Sequence, residues 1–161
     1  MALTQSQLAI LKADIVADPI LSSKPMNDDG HFAIAAAYNL TASPDFWVWR
    51  TSVSKAEFVQ SISVDGTTFN WTGTGFITRN QGERDAWREI FNGEGFANPS
   101  LASVRQAFSD IFSGATAPAP ANRTHLTTVS RRKSTRAEKL FATGTGSTAS
   151  PATMSFEGSI Q

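Results

Sequence analysis

Cysteine is absent from this chain of 161 residues. Its absence excludes disulfide scaffolds, thiolate nucleophiles, iron–sulfur clusters and every zinc site with a Cys ligand. Histidine is nearly absent, with only His31 and His125. Charge is scarce too: 17% of residues are charged, 14 basic against 14 acidic, where about 25% is usual. High net charge with few apolar groups marks disorder, and this chain has neither. No eighteen apolar residues run together, so no membrane helix is expected. Met1-Ala2-Leu3-Thr4 leads directly into an amphipathic segment, which predicts no signal peptide and synthesis in the cytoplasm.

What is present suffices for a core. Hydrophobic residues make up 40% of the chain, with 11 Phe, 4 Trp and 1 Tyr. A chain of this length buries about 68–70% of its unfolded surface without staples. The neutral total hides a polarity along the sequence. Arg123, Arg131, Arg132, Lys133, Arg136 and Lys139 cluster near the C-terminus, opposed only by Glu138. Residues 14–29 carry Asp14, Asp18, Asp28 and Asp29 against Lys24. Opposite charge at the two ends suits head-to-tail pairing or an acidic partner.

Local signals predict a mainly α fold. Thr4 and Gln7 form a capping box, Leu3 can staple onto Leu8, and Leu8, Leu11 and Ile15 mark one face of a helix ending before Pro19. A second helix starts at Asp28-Asp29-Gly30 and stops near Asn39. Phe46, Trp47 and Trp49 read as core anchors. Ser54-x-x-Glu57 opens a short helix to about Ile62. Asp65-Gly66, among β-branched and aromatic residues, predicts a β-hairpin or a looser extended excursion near 62–79. Trp87, Ile90 and Phe91 share a side of the GERDAWREIF helix, with Gly93 as its stop. In that helix Asp85 and Arg88 are spaced as a solvated pair, and Arg84 and Glu89 less ideally. Asn98-Pro99 predicts an N-cap and first helical residue, followed by the stripe Leu101, Val104, Phe108, Ile111 and Phe112 up to Gly114. Residues 115–121 read as a proline-stiffened linker. Asn122 then caps a helix carrying Leu126, Val129, Ala137, Leu140 and Phe141, with the basic cluster on its other faces.

The last segment, 143–161, changes character. It has one charged residue, Glu157, and many small ones, with Met154, Phe156 and Ile160 as its large apolar side chains. Gly144, Gly146, Pro151 and Gly158 keep it from forming a helix. It is expected to lie extended along another surface rather than to pack on itself. The resulting expectation is a compact helical bundle of about five or six helices over 1–142, with the excursion near 62–79 and an extended C-terminal arm over 143–161.

Chemistry-bearing motifs are missing. There is no G-x-S-x-G, H-E-x-x-H, Walker loop or EF-hand spacing. Gly73-x-Gly75 and Gly144-x-Gly146 lack the helix that would hold a phosphate. Asn122-Arg123-Thr124 matches a glycosylation sequon only in letters. No enzyme, catalytic residue, metal site or cofactor is expected. The basic cluster reads three ways: as a solvated face, as a phosphate-neutralising site, or as a docking face for an acidic neighbour. The adjoining tail favours docking, because a charged helix and an extended strand together make a bipartite interface.

GERDAWREIF, NPSLASVRQAFSDIFSG, the NRTHL start, RRKSTRAEKLFATGTGSTASPATMSFEG and SPDFWVWRT resemble a family of short proteins from tailed-bacteriophage structural gene clusters. The resemblance covers most of the chain and is strongest from Gly82 to Gly158. Within that family the chain is similar to head–tail connector (adaptor, head-completion) proteins. The resemblance implies a structural virion protein of the phage neck, in a homo-oligomeric ring of twelvefold symmetry under the portal. The implied partners are the portal protein, neighbouring copies, tail or tail-completion proteins, and DNA that passes through the channel without sequence-specific binding; no membrane is involved. Partner-binding residues are then Arg131, Arg132, Lys133, Arg136, Lys139, Met154, Phe156 and Ile160. The alternatives are another virion part, for tail completion or capsid decoration, and a DNA-binding module using a basic helix over 122–140.

Overall fold

The structure is a computed structural model that describes residues 3–71, 76–91, 95–115 and 117–161. It is mainly helical, with eight helices and short strand pairs among the described residues. The chain divides into two compact units. One comprises residues 1–48 and 133–161, the other residues 49–132. The chain leaves the first unit on β1 (Trp47–Trp49) and re-enters it on β4 (Arg131–Lys133). Residues 143–161, set apart above as an arm, therefore belong to the same unit as the N-terminal helices.

In the first unit the capping box Thr4–Gln7 forms as the sequence implies and starts α1 (Gln5–Ala17). Asp18 caps the short α2 (Pro19–Ser22), with proline at its first position. Asn27 caps α3 (Asp28–Asn39). Leu11 is buried and Ile15 half-buried, but Leu8 is exposed. The stripe thus packs through its last two members, and Leu3 packs on the core instead. After α8 (Arg136–Leu140), β5 (Ala142–Thr143) and β6 (Thr153–Met154) pair antiparallel, Ala142 with Met154 and Thr143 with Thr153. The loop between them passes Phe46 at Gly146, whose φ is +66°. A Cβ there would lie 2.2 Å from the Phe46 ring, so this position requires glycine. Leu11, Leu21, Tyr38, Ala137, Phe141 and Phe156 form this unit's core.

The second unit holds β2 (Val53–Ser54), α4 (Lys55–Gln60), α5 (Gln81–Ile90), β3 (Phe96–Ala97), α6 (Ala102–Ile111) and α7 (Ala119–Val129). Capping boxes at Ser54–Glu57 and Asn80–Glu83 start α4 and α5. β2 pairs with β3, Val53 opposite Ala97. The core is aromatic: Phe58, Phe69, Trp87, Phe91, Phe108 and Phe112 are all buried, with Leu126 and Val129 from α7.

Several expectations need correction. Of the hairpin or looser excursion expected near 62–79, the described residues form no hairpin strands and follow the looser course; residues 72–75 lie outside them. Asp65-Gly66 does turn the chain, since Gly66 N–H donates to Ser63 O and Ser63 N–H to Thr67 O. Ile62 and Val64 stay exposed while Phe69 enters the aromatic core. α6 starts three residues later than Asn98-Pro99 implies. Asn98 Oδ1 accepts from Ser100 N–H at 3.1 Å and Ser100 Oγ at 2.6 Å, an Asx turn that competes with helix. Leu101 becomes the exposed N-cap, so the core stripe is Phe108, Ile111 and Phe112, with Val104 at its edge. The 115–121 segment is not a linker throughout: α7 begins inside it, with Ala119 buried. Asn122 is an interior residue of α7 rather than its cap. Gly93, expected as the stop of α5, lies outside the described residues.

The continuous helix from Asn122 to Phe141 is also absent. Ser130 Oγ donates back to Leu126 O at 2.6 Å, the kind of bond that competes with helix continuation. Thr135 and Glu138 then form a fresh capping box that starts α8. Two helices with a strand between them replace one, which together with α2 raises the helix count above the expected five or six. Phe46, Trp47 and Trp49 are half-buried rather than core anchors, and Val48 between them is fully buried. Alternation along an extended β1 accounts for this pattern.

Candidate functional site

The basic cluster, with its helix broken, spreads over different environments. In the first unit the Thr135 cap sets Arg136 at the first position of α8. Arg136 Nη2 donates to Asp14 Oδ2 and to Asp18 Oδ2, both at 2.9 Å. Its guanidinium carbon lies 4.7 Å from the centroid of the Tyr38 ring, and Tyr38 Oη donates to Asp14 Oδ2. The acidic and basic ends of the sequence therefore meet inside one unit of one chain. Burial and the Asp14 carboxylate push the Tyr38 phenol up. Burial opposes the Arg136 charge, but Asp14 and Asp18 outweigh it and raise its pKa. The Leu21 N–H and then Arg136 hold Asp18 below its usual range.

A depressed carboxylate binds fewer protons folded than unfolded. Its contribution is present above the ordinary Asp range, about pH 4, and is lost as pH falls through the folded value. Thermal melts at pH 7 and at about pH 3 should show a larger acid-induced drop for the parent than for Arg136→Ala, which has already lost the clamp. Equal drops in both would show that the clamp contributes nothing to acid sensitivity.

Lys133 Nζ bridges to Asp45 at 2.7 Å and lies 6.0 Å from the Trp47 ring centroid. Lys139 Nζ sits 5.6 Å from the Phe46 ring centroid. Arg131, in the second unit, bridges to Asp65 at 2.7 Å. Arg132 follows it on β4 and is half-buried. Arg123 points elsewhere: its Nη1 donates to Phe112 O and to Gly114 O, closing the end of α6. These cations hold local structure and do not form one continuous face of a helix.

The three apolar residues of the C-terminal segment differ in placement. Phe156 is buried edge-on against Phe141, with centroids 5.6 Å apart. Met154 lies half-buried on β6, and Ile160 packs at the edge of the core. Besides the β5–β6 pairing and the bonds of Ser155 to Phe141 O, side chains of Gln7, Glu138 and Asn39 tie the segment down. Gln7 Nε2 donates to Ser155 O, Gly158 N–H donates to the buried Glu138, and Asn39 pairs with the backbone of Ile160 in both directions at 2.8 Å. Beside this strap runs a groove whose lining includes Asp28, His31, Phe32, Ala35, Ala36 and Ile160. Asn39 reads in the sequence only as a helix stop; its amide serves as a backbone mimic because the segment has no neighbouring strand there.

The histidines do not converge. His31 is exposed, whereas His125 is fully buried between Phe58 O, 2.8 Å from Nε2, and Thr67 Oγ1, 3.0 Å from Nδ1. Asn122 is also buried, accepting from Asn70 N–H and donating to Asn70 O. Both residues pin the 62–71 stretch where backbone pairing is missing. Among the described residues no group of three or more His, Cys, Asp or Glu side chains is placed to hold a metal ion. Among the described residues no helix is long and apolar enough to cross a membrane.

The structure reveals a second feature that sequence reading did not single out. In the second unit the Arg105 guanidinium stacks 4.4 Å from the centroid of the Trp49 ring. Its Nη1 donates to Pro99 O at 2.6 Å and Ser100 O at 2.8 Å. Burial pushes its pKa down, and no carboxylate pairs with it among the described residues. The charge polarity also reads differently once folded. The first unit carries five basic and seven acidic residues, the second nine and seven.

No protein-family model matches the chain, and neither a curated protein nor a solved structure does.

Proposed function

We propose that this chain is a structural protein of the tailed-phage neck, a head–tail connector that joins a ring of its own copies beneath the portal. In this reading the segment 143–161 is the portal-facing arm, carrying Met154 and Ile160. The observation that carries the reading is the opposite net charge of the two units, each bearing large exposed apolar side chains. Such surfaces suit heterologous assembly, the mode that closes into rings. The likeness of Gly82–Gly158 to virion proteins supplies the neck as the setting. A DNA-reading role is less well supported, because the continuous helix over 122–140 that it needs is interrupted and Arg131, Lys133 and Arg136 each face a carboxylate.

The test is capture of purified portal rings from the same genome by the full chain. Retention of portal on immobilised chain is expected, with weaker capture by Met154→Glu. An absence of capture by the folded parent would overturn the neck assignment. Truncating the segment is a poorer probe, since it removes Phe156 from the core.

A further inference from the structure

We infer that the Arg105–Trp49 corner of the second unit is the docking point for the Asp28–Phe32 stretch of a second copy of this chain. The inference deepens the ring reading and rests on it only for the number of copies that assemble.

Arg105 is the first observation. It is half-buried with no carboxylate beside it among the described residues, and burying an uncompensated charge costs stability. Its guanidinium has two backbone carbonyls, both bonded to a single nitrogen, out of five N–H donors. Trp49 lies under its face, which orients the fork without neutralising it. The loop that Arg105 pins, Phe96 to Leu101, presents those two residues about half-exposed. Beside an unneutralised cation lies an apolar rim. That combination fits a partner offering carboxylates next to large apolar side chains. A phosphate backbone offers no such apolar match.

The first unit carries that complement. Asp28 and Asp29 open α3, are exposed, and have no cation partner among the described residues. Their place in the first turn suits the helix dipole and would account for them alone. It does not account for their neighbours. Met26 is 89% exposed and Phe32 78%, the most exposed large apolar side chains among the described residues. Two adjacent carboxylates are thus flanked by two exposed apolar side chains within seven positions. The net excess of acid in this unit and of base in the other gives the contact its sense: unit one of one copy on unit two of the next.

The experiment is sedimentation velocity of the full chain at micromolar to millimolar concentration, at about 50 mM and 500 mM salt. Self-association that weakens with salt is expected. Arg105→Glu should weaken it at least about tenfold, and Asp28→Arg with Asp29→Arg should do the same. Mixing these two variants supplies every contact with opposite charges again, so the mixture should associate where each alone does not. Recovery on mixing also shows that both variants are folded. A parent monomeric throughout, association indifferent to Arg105→Glu, or a mixture that stays dissociated would each overturn the inference. A monomeric parent that still captured portal would leave the neck reading standing and remove only this contact.

Discussion

Trp87→Ala is expected to destabilise the second unit by about 3–5 kcal/mol, the range for emptying a large aromatic site in a close-packed core. Trp87 is fully buried. It stacks on Phe69 at 5.5 Å between centroids with 23° between planes, and meets Phe91 edge-on at 5.0 Å and Phe112 at 5.8 Å. Favourable aromatic pairs add about 0.5–1.5 kcal/mol each beyond area burial. The site also cannot collapse easily, because its walls come from α5, α6 and the 62–71 stretch, each fixed by its own hydrogen bonds. Urea melts of parent and variant measure the effect. A loss below about 1 kcal/mol would show that the aromatic cluster is loosely packed. Trp87→Phe, which keeps a ring in place, should cost clearly less.

Much of this core was legible. Trp87 and Phe91 fall on one side of α5 at i and i+4, and Phe108, Ile111 and Phe112 repeat on α6. Four residues named as caps or capping-box partners, Thr4, Gln7, Ser54 and Glu57, act as such because those contacts lie within three positions in sequence. Non-local competition explains the failures. Asp65-Gly66 turns as a hairpin dipeptide should, yet Phe69 gains more by joining Trp87 than by pairing across a ladder. The long basic helix looked continuous by its apolar spacing. It is broken by the back-bond of Ser130 Oγ to Leu126 O and restarted by a further capping box, Thr135-x-x-Glu138, a signal as local as the other three.

The candidate site was less legible, and charge explains why. Counting along the chain suggested an acidic head and a basic tail available to partners. Folding places Arg136 on Asp14 and Asp18, more than a hundred residues away in sequence, so that pair is spent on internal structure. Arg105 has no carboxylate partner among the described residues; it stands alone between Val104 and Gln106 and belongs to no charge run. Only the geometry, with two carbonyls and an indole around it and no carboxylate, sets it apart. Spacing rules recognise partners that are near in sequence, and neither the clamp nor the corner is of that kind.

Gly30→Ala is expected to destabilise the first unit by about 1–3 kcal/mol, against the usual sign for this substitution within a helix. Alanine normally stabilises a helix by about 1 kcal/mol over glycine. At Gly30, however, a Cβ would stand 1.8 Å from Pro25 O and 2.9 Å from Pro25 C. Both are backbone atoms, so no side-chain rotation relieves the clash. Either the Pro25 peptide moves or the first turn of α3 does. In the second case the cap from Asn27 Oδ1 to Gly30 N–H, 3.0 Å long, is stretched as well. Gly82→Ala is the matched control, because in the first turn of α5 its Cβ meets nothing closer than Asn80 Oδ1 at 3.4 Å. That variant should be neutral or up to about 1 kcal/mol more stable. Thermal and urea melts of the two variants side by side decide the matter, and equal shifts would mean that the Pro25–Gly30 contact is not tight. The same turn carries Asp28 and Asp29, so Gly30→Ala should also weaken salt-sensitive self-association where Gly82→Ala does not. Close packing at this one glycine thus links the stability of the first unit to the position of the carboxylates proposed to meet Arg105.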